Sequence, residues 1–298
     1  MVNAFSFACS ACGKCCNSPP AMSLRELFRH RDLFVGCIAI GRISRVQADD
    51  ALAAALFFPA GDRSGDFLSI TAQGYDYPSA GRCPALDSAG LCSIHANGKP
   101  DMCDAVPLDP LVPDSLQHRV LATRARGAGY IGADCIVPGT HADAALLVAE
   151  GRIVDASARA AVERRRTAIA TERELWGRAV FDSLRASSTQ GKEALARIPP
   201  GGYATISIVP ALLAVAGLSA ACRELCVAYI ASQMALIERN VAQAIARRHL
   251  NDRPVTQELR GFLASHVRAR EVLLESPAAP PVLSDRLRPI ADDYFSGP

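Results

Sequence analysis

The stretch Cys9-Ser10-Ala11-Cys12-Gly13-Lys14-Cys15-Cys16 places four thiols within eight residues. Core packing does not account for such density, because neighbouring side chains of a folded segment diverge and one local patch rarely buries both members of a doublet. Soft metals and iron–sulfur clusters, by contrast, draw thiolates from short, turn-compatible spacings. Gly13 can take a positive φ and lets the chain curl tightly around a centre. Cys15 and Cys16 do not readily serve one mononuclear tetrahedral site together. The doublet predicts either two centres that meet at this loop, or one cluster or binuclear site that uses both.

The other cysteines extend the pattern. The chain has 11, and nine fall before residue 136, leaving only Cys222 and Cys226 beyond. A second group begins at Cys83-Pro84-Ala85-Leu86-Asp87-Ser88-Ala89-Gly90-Leu91-Cys92 and continues with Cys103 and Cys135. Residues 87–90 have turn chemistry, so Cys83 and Cys92 are expected to flank a hairpin. Pro100, Pro107 and Pro138-Gly139 fix loop shape beside Cys103 and Cys135. Cys37, inside Phe34-Val35-Gly36-Cys37-Ile38-Ala39-Ile40, reads as a buried free thiol. Cys222 and Cys226 are four apart on one helical face and read as core.

Composition narrows the function classes. The 298 residues are 50% hydrophobic, enough to bury a substantial core. With 32 basic against 30 acidic residues and 6% aromatics, there is neither an electrostatic nor a stacking case for nucleic acid. The first nine residues lack the basic start and apolar run of a secretory signal. The apolar stretch at 206–221 is interrupted by Pro210 and Gly217 and falls short of the roughly 20 residues of a membrane span; it reads as a buried helix. A cytoplasmic location follows as the expectation, and in a reducing cytosol dense thiols point to metal or redox chemistry rather than disulfides.

The fold class expected is α+β, mainly α. Residues 1–140 read as a loop-rich, metal-stapled domain, in which coordination replaces part of a missing core. Residues 141–298 read as a helical domain with an extended tail. Ser23-Leu24-Arg25-Glu26 forms a capping box, predicting a helix over 24–33. Alternation predicts a strand over 117–124, and residues 66–71 suggest another. Long helices are expected over 141–184, 208–250 with a break near Gly217, and 254–275. Residues 187–202 and 276–281 read as linkers. Arg164-Arg165-Arg166 reads as a solvated helix face, and Met22 and Trp176 as core.

On these motifs the chain resembles the YkgJ-type cysteine-cluster proteins, a family described by a zinc- or iron-chelating domain. The resemblance rests on Phe7-Ala8-Cys9, Cys12-Gly13-Lys14-Cys15-Cys16, Cys83-Pro84-Ala85-Leu86, Gly90-Leu91-Cys92-Ser93-Ile94-His95, Lys99-Pro100-Asp101-Met102-Cys103 and Val106-Pro107. It covers about residues 5–140. His95 stands where the family places tyrosine, Lys99 where it places arginine, and Asp104 where an arginine often follows; the late element Cys135-Ile136-Val137-Pro138-Gly139 is longer than the family form. The resemblance implies a ligand set of Cys9, Cys12, Cys15, Cys16, Cys83, Cys92, Cys103 and Cys135. It leaves open which of them share a site.

Both zinc and iron–sulfur clusters accept such ligands. Structural zinc typically uses two separated CxxC knuckles, and the second group here has none, which favours an iron–sulfur cluster of the [4Fe-4S] type. A distantly related cysteine-cluster family, the flagellin lysine N-methylases, is associated with such a centre. No phosphate loop, nucleophile elbow, HExxH or dinucleotide signature is present. The function expected is a cytosolic metal-binding protein that holds iron–sulfur clusters or zinc, acting on a protein or small-molecule partner with no membrane role. Two alternatives stand beside it: an iron–sulfur-dependent transferase, such as a methyltransferase on a protein or small molecule, and a zinc-stabilised interaction module. An enzyme predicts a pocket between the two halves.

Overall fold

The apolar run at 34–40 becomes the central strand of the larger sheet. In the computed structural model, which describes residues 4–47, 49–96, 98–127, 133–186, 193, 195–275 and 284–297, β2 (Val35–Ile43) follows a three-residue strand β1 (Phe5–Phe7) and the helix α1 (Leu24–Arg29). Residues 35–40 of β2 are all buried, which is why this strand reads as continuous apolar sequence rather than an alternation. It pairs antiparallel with β4 (Phe67–Tyr75), from Val35 opposite Tyr75 to Ile43 opposite Phe67. On its other edge lies β8 (Tyr203–Ser207), with Cys37 opposite Ser207 and Gly41 opposite Tyr203. The short β3 (Phe58–Pro59) completes the order β3-β4-β2-β8.

A second sheet has the order β5-β1-β6-β7, where β5 is Ile136–Pro138, β6 Ala145–Ala149 and β7 Arg152–Ile153. Both sheets therefore combine strands from either side of residue 140.

The helices are α1, α2 (Asp50–Leu56), α3 (Asp101–Ala105), α4 (Gln117–Ala125), α5 (Ala156–Glu172), α6 (Arg178–Ala186), α7 (Val209–Ala216), α8 (Ala220–Arg247), α9 (Arg253–Glu275) and α10 (Ser284–Ser296). A π-helical turn, Arg173–Gly177, joins α5 to α6. The α+β, mainly helical class holds. The capping box holds as well: the Ser23 hydroxyl accepts from the Glu26 N–H, and the Glu26 carboxylate accepts from the Ser23 N–H at 2.6 Å. The break at Gly217 separates α7 from α8 as expected.

Three local readings are corrected. Residues 117–124 form a helix, not a strand, because Gln117 and Leu121 fall on one face one turn apart and both are buried. Gln117 is held there by the Asp109 N–H and by the Asp109 and Val112 carbonyls. The region from 141 opens with a β-hairpin rather than a helix: Glu150 and Gly151, both at positive φ, turn β6 into β7, a two-residue turn with Gly at its second position. The tail forms α10 and is not extended. Ala291 and Phe295, four apart, pack into the main core, and that docking outweighs the break expected at Pro289. Of the linker read at 187–202, residues 193 and 195–202 are described, with Ile198 buried in the main core and Gly201 and Gly202 hydrogen-bonded to the Arg42 backbone; the linker read at 276–281 lies outside the described residues.

The main core gathers Met22, Leu27, Ile38 and Phe58 from the first half with Trp176, Leu212 and Ile230 from the second. Among the described residues one helix, Ala220–Arg247, is long and apolar enough to cross a membrane. Its apolar side, including Cys222, Cys226, Tyr229 and Ile230, lies in this core. Gln233 docks it to the start of β2: the side-chain carbonyl accepts the Gly36 N–H at 2.9 Å, and the amide donates to the Arg31 and Phe34 carbonyls. Gly36 is required at this contact, since a Cβ there would land on the Tyr229 hydroxyl.

Candidate metal centre

The small sheet brings the first cysteine loop to the last ligand of the sequence-derived set. Phe7 lies opposite Ile136 in the β1–β5 pair, and the Ala8 N–H donates to the Cys135 carbonyl at 3.0 Å. The chain leaves β1 toward Cys9 as it enters β5 from Cys135, so residues 126 apart in sequence meet at one end of a strand pair. The Ser10 hydroxyl lies 3.3 Å from the Cys135 sulfur. Lys14 and Asp134 form a further exposed link across the same two segments at 3.8 Å.

Within the loop, Ala11 and Gly13 both take positive φ, and a single 3-10 turn, Lys14–Cys16, follows with the Cys16 N–H donating to the Gly13 carbonyl at 2.8 Å. The two sulfurs of the doublet lie 3.9 Å apart on this turn. The Cys12 thiol is held below its ordinary value by the Lys14 N–H and the Ser10 hydroxyl, with a smaller contribution from Cys135. The Cys15 thiol is pushed up to about 12 by desolvation and then by Cys16 and Cys9, although it retains solvent-exposed surface. Cys12 thus interacts with Cys135, and Cys15 with Cys16 and, more weakly, with Cys9.

The second set forms around Cys16. The Cys83 N–H donates to the Cys16 carbonyl at 2.6 Å, stitching the doublet to the second cysteine group. Cys83 and Cys92 flank the expected turn: Leu86 bridges Cys92, and the Asp87 carboxylate accepts the Ala89 and Leu91 N–H groups, both at 2.9 Å. Cys103 arrives on α3. Its thiol is raised by burial and then by Cys83, Cys16 and Cys92, and lowered by Lys99. Cys16 is raised by desolvation and feels Cys83, Cys92 and the same lysine. Cys83 is pushed up to about 11, first by burial, then by Cys92 and Asp76.

Sequence reasoning missed the supports of Cys103. Arg164-Arg165-Arg166 is not a solvated face. Arg164 holds Asp101 at 2.8 Å and Asp104 at 3.2 Å, and Arg166 reaches Asp114 and the Pro110 and Val112 carbonyls. Arg165 is only 2% exposed and lies 4.0 Å from the Glu26 carboxylate, which in turn accepts the Asp101 N–H at 2.7 Å. Asp104, the departure from the family arginine, pairs with Lys99 at 3.1 Å. The visible signal was the charge reversal at Asp104, which calls for a cation partner; which arginine answers it depends on how α5 packs against α3.

Cys37, Cys222 and Cys226 are buried away from both sets. Burial holds all three thiols up, and Cys222 meets Asp292 at 3.8 Å. His95 is exposed, its N–H bonded to the Cys92 carbonyl.

All 11 cysteines are unbridged. Among the described residues no three cysteine, histidine or carboxylate side chains are drawn tightly enough to enclose a single bare ion. The donor chemistry nonetheless fits a thiolate-bound metal. Burial and repulsion from neighbouring thiols penalise the thiolate forms of Cys15, Cys16, Cys83 and Cys103, and a cation placed among them reverses both effects.

Residues 8–121 match the family model CxxCxxCC, putative zinc- or iron-chelating domain, the cysteine-cluster family whose motifs the sequence carries. Neither a curated protein nor a solved structure matches the chain.

Proposed function

We propose that this chain, whose residues 8–121 belong to the zinc- or iron-chelating cysteine-cluster family, holds two metal centres of four thiolates each. Cys9, Cys12, Cys15 and Cys135 serve the first, and Cys16, Cys83, Cys92 and Cys103 the second. The observation that supports this pairing is a pair of backbone hydrogen bonds: the Ala8 N–H, just before Cys9, donates to the Cys135 carbonyl, whereas the Cys16 carbonyl accepts the Cys83 N–H.

Iron–sulfur clusters suit this arrangement better than zinc. The first set reads C-x2-C-x2-C with one remote cysteine, while the next cysteine of the run serves the other centre. Two-cluster ferredoxins distribute their ligands in the same way. The chain works in a reducing cytosol in this reading, consistent with 11 unbridged thiols.

Anaerobic purification followed by metal analysis and visible spectroscopy tests the proposal. The expected result is a brown protein with broad absorption near roughly 400 nm and iron matched by acid-labile sulfide. A colourless protein with about two zinc ions per chain would keep the two-centre pairing but overturn the iron–sulfur assignment. A chain that retains no metal after purification from iron- and zinc-replete cells would overturn both.

A further inference from the structure

A polar cleft of about 260 Å³ opens beside the second thiol set. One wall is α8, which presents Arg239, Asn240 and Arg247; the facing wall presents Asp32, Asp76 and Tyr77. Pro84, the residue after Cys83, also lines it, and the Asp76 carboxylate acts through space on the Cys83 thiol.

The cationic side is held in place before any ligand arrives. The Arg247 guanidinium lies 5.2 Å over the Tyr77 ring and pairs with Asp252 at 3.1 Å. Arg239 donates to the Asp32 carbonyl oxygen at 3.2 Å, so it reaches across to the facing wall. The anionic side is less satisfied. Asp76 accepts the Tyr77 N–H at 2.7 Å, and its carboxyl is raised by desolvation, with Arg247 offsetting and Asp252 adding to the effect. Among the described residues Asp76 has no ion pair within 4 Å and feels Arg247 only through space; an ammonium group entering the cleft would supply a close cation.

Guanidinium groups on one wall and carboxylates on the other, across a space of this size, select a small molecule that carries both charges. Arginine pairs with a carboxylate through parallel N–H bonds, and a carboxylate in a partly desolvated wall favours a compact ammonium. We propose that this cleft binds a free α-amino acid, with its carboxylate toward Arg239 and Arg247 and its ammonium group toward Asp76. The site adjoins the second thiol set and does not depend on which metal fills it.

Isothermal titration of the full-length, metal-analysed protein with the common L-amino acids tests the assignment. At least one is expected to bind saturably. Its methyl ester, lacking the negative charge, and its N-acetyl form, lacking the positive one, should each bind about tenfold or more weakly, a difference of about 1.4 kcal/mol. Arg239→Ala, at an exposed position, should weaken the free amino acid by a similar factor while leaving the methyl ester unchanged. Asp76→Asn should weaken it while leaving the N-acetyl form unchanged; if that variant does not fold, Arg239→Ala and the two blocked ligands still decide. No binding by any amino acid, or equal binding of parent and blocked forms, overturns the proposal. Because metal content is measured on the same sample, loss of amino-acid binding in metal-loaded protein counts against the cleft alone. Binding by a chain that holds no metal counts against the metal centres alone.

Discussion

The sulfurs of Cys15 and Cys16 lie 3.9 Å apart, while the Cys16 carbonyl accepts the Cys83 N–H at 2.6 Å. Both cysteines sit on the 3-10 turn that begins at Lys14. It leaves Cys15 with the loop that meets β5 and turns the Cys16 backbone toward Cys83. The pairing proposed above commits these adjacent positions to separate centres.

Single substitutions should separate those centres. Cys15→Ser and Cys16→Ser are each expected to lower bound metal to about half, and the double variant to near zero, because each single change removes one thiolate from only one four-ligand set. Metal analysis on purified protein, with spectra of each variant, checks this. If either single variant loses all of its metal, the two sets form one centre and the pairing is wrong.

Removing metal should loosen the thiol-bearing loops more than the larger sheet. After chelation, hydrogen exchange is expected to quicken at residues 9–16, 83–92 and 101–105, while β2 and β4 remain protected by the main core. Uniform quickening across both regions would mean that the loops are not the part stapled by metal.

Glu172 predicts an unusual pH dependence. Its carboxyl is completely buried and pushed up to about 7 by desolvation, against the opposing effects of Arg165, the Tyr294 hydroxyl and the Leu24 N–H. The folded state therefore keeps a proton that the unfolded chain loses near 4.5. This contribution is fully present below that pH, falls as pH rises toward 7, and is flat above it. Glu172→Gln should gain on the wild type across that window by about 3 kcal/mol. Urea unfolding at a series of pH values measures the difference, and parallel curves for the two proteins would contradict it.

The clamp on α3 should be strong at its buried member and weak at its exposed one. Glu26→Ala removes acceptors for the Ser23 and Asp101 N–H groups and leaves Arg165 buried without its carboxylate; a cost of about 3 kcal/mol is expected. Arg164→Ala, whose side chain is half exposed, should cost less than about 1 kcal/mol. Equilibrium unfolding of both variants distinguishes these outcomes, and equal costs would show that the network is not organised around Glu26.

Tyr229→Phe should be neutral or stabilising in thermal denaturation. The hydroxyl is fully buried with no hydrogen-bond partner among the described residues, so its removal relieves a desolvation cost without breaking a bond. A marked loss of stability would reveal a partner for that hydroxyl.

The sequence alone was enough for local chemistry. The capping box at Ser23 and Glu26, the turn between Cys83 and Cys92, the burial of the Cys37 thiol and the cysteine motifs all depend on neighbours within a few positions, where residue type limits the backbone. It misread residues 117–124, where a short window carries too few apolar positions to separate the two periods, and α10, where docking of Ala291 and Phe295 overrides Pro289. The family resemblance supplies a candidate ligand set from sequence, but not the division proposed for it.

That division depends on contacts between distant segments. Cys135 reaches Cys12 because β1 pairs with β5, Cys103 stands near Cys16 because Glu26 and α5 hold α3 in place, and the cleft beside Cys83 exists because α8 packs across from Asp76. Spacing along a chain constrains thiols only within a turn or two. Where a loop ends relative to residues more than 100 positions away is set by strand register and by buried side chains packed between them, and only the tertiary structure supplies both.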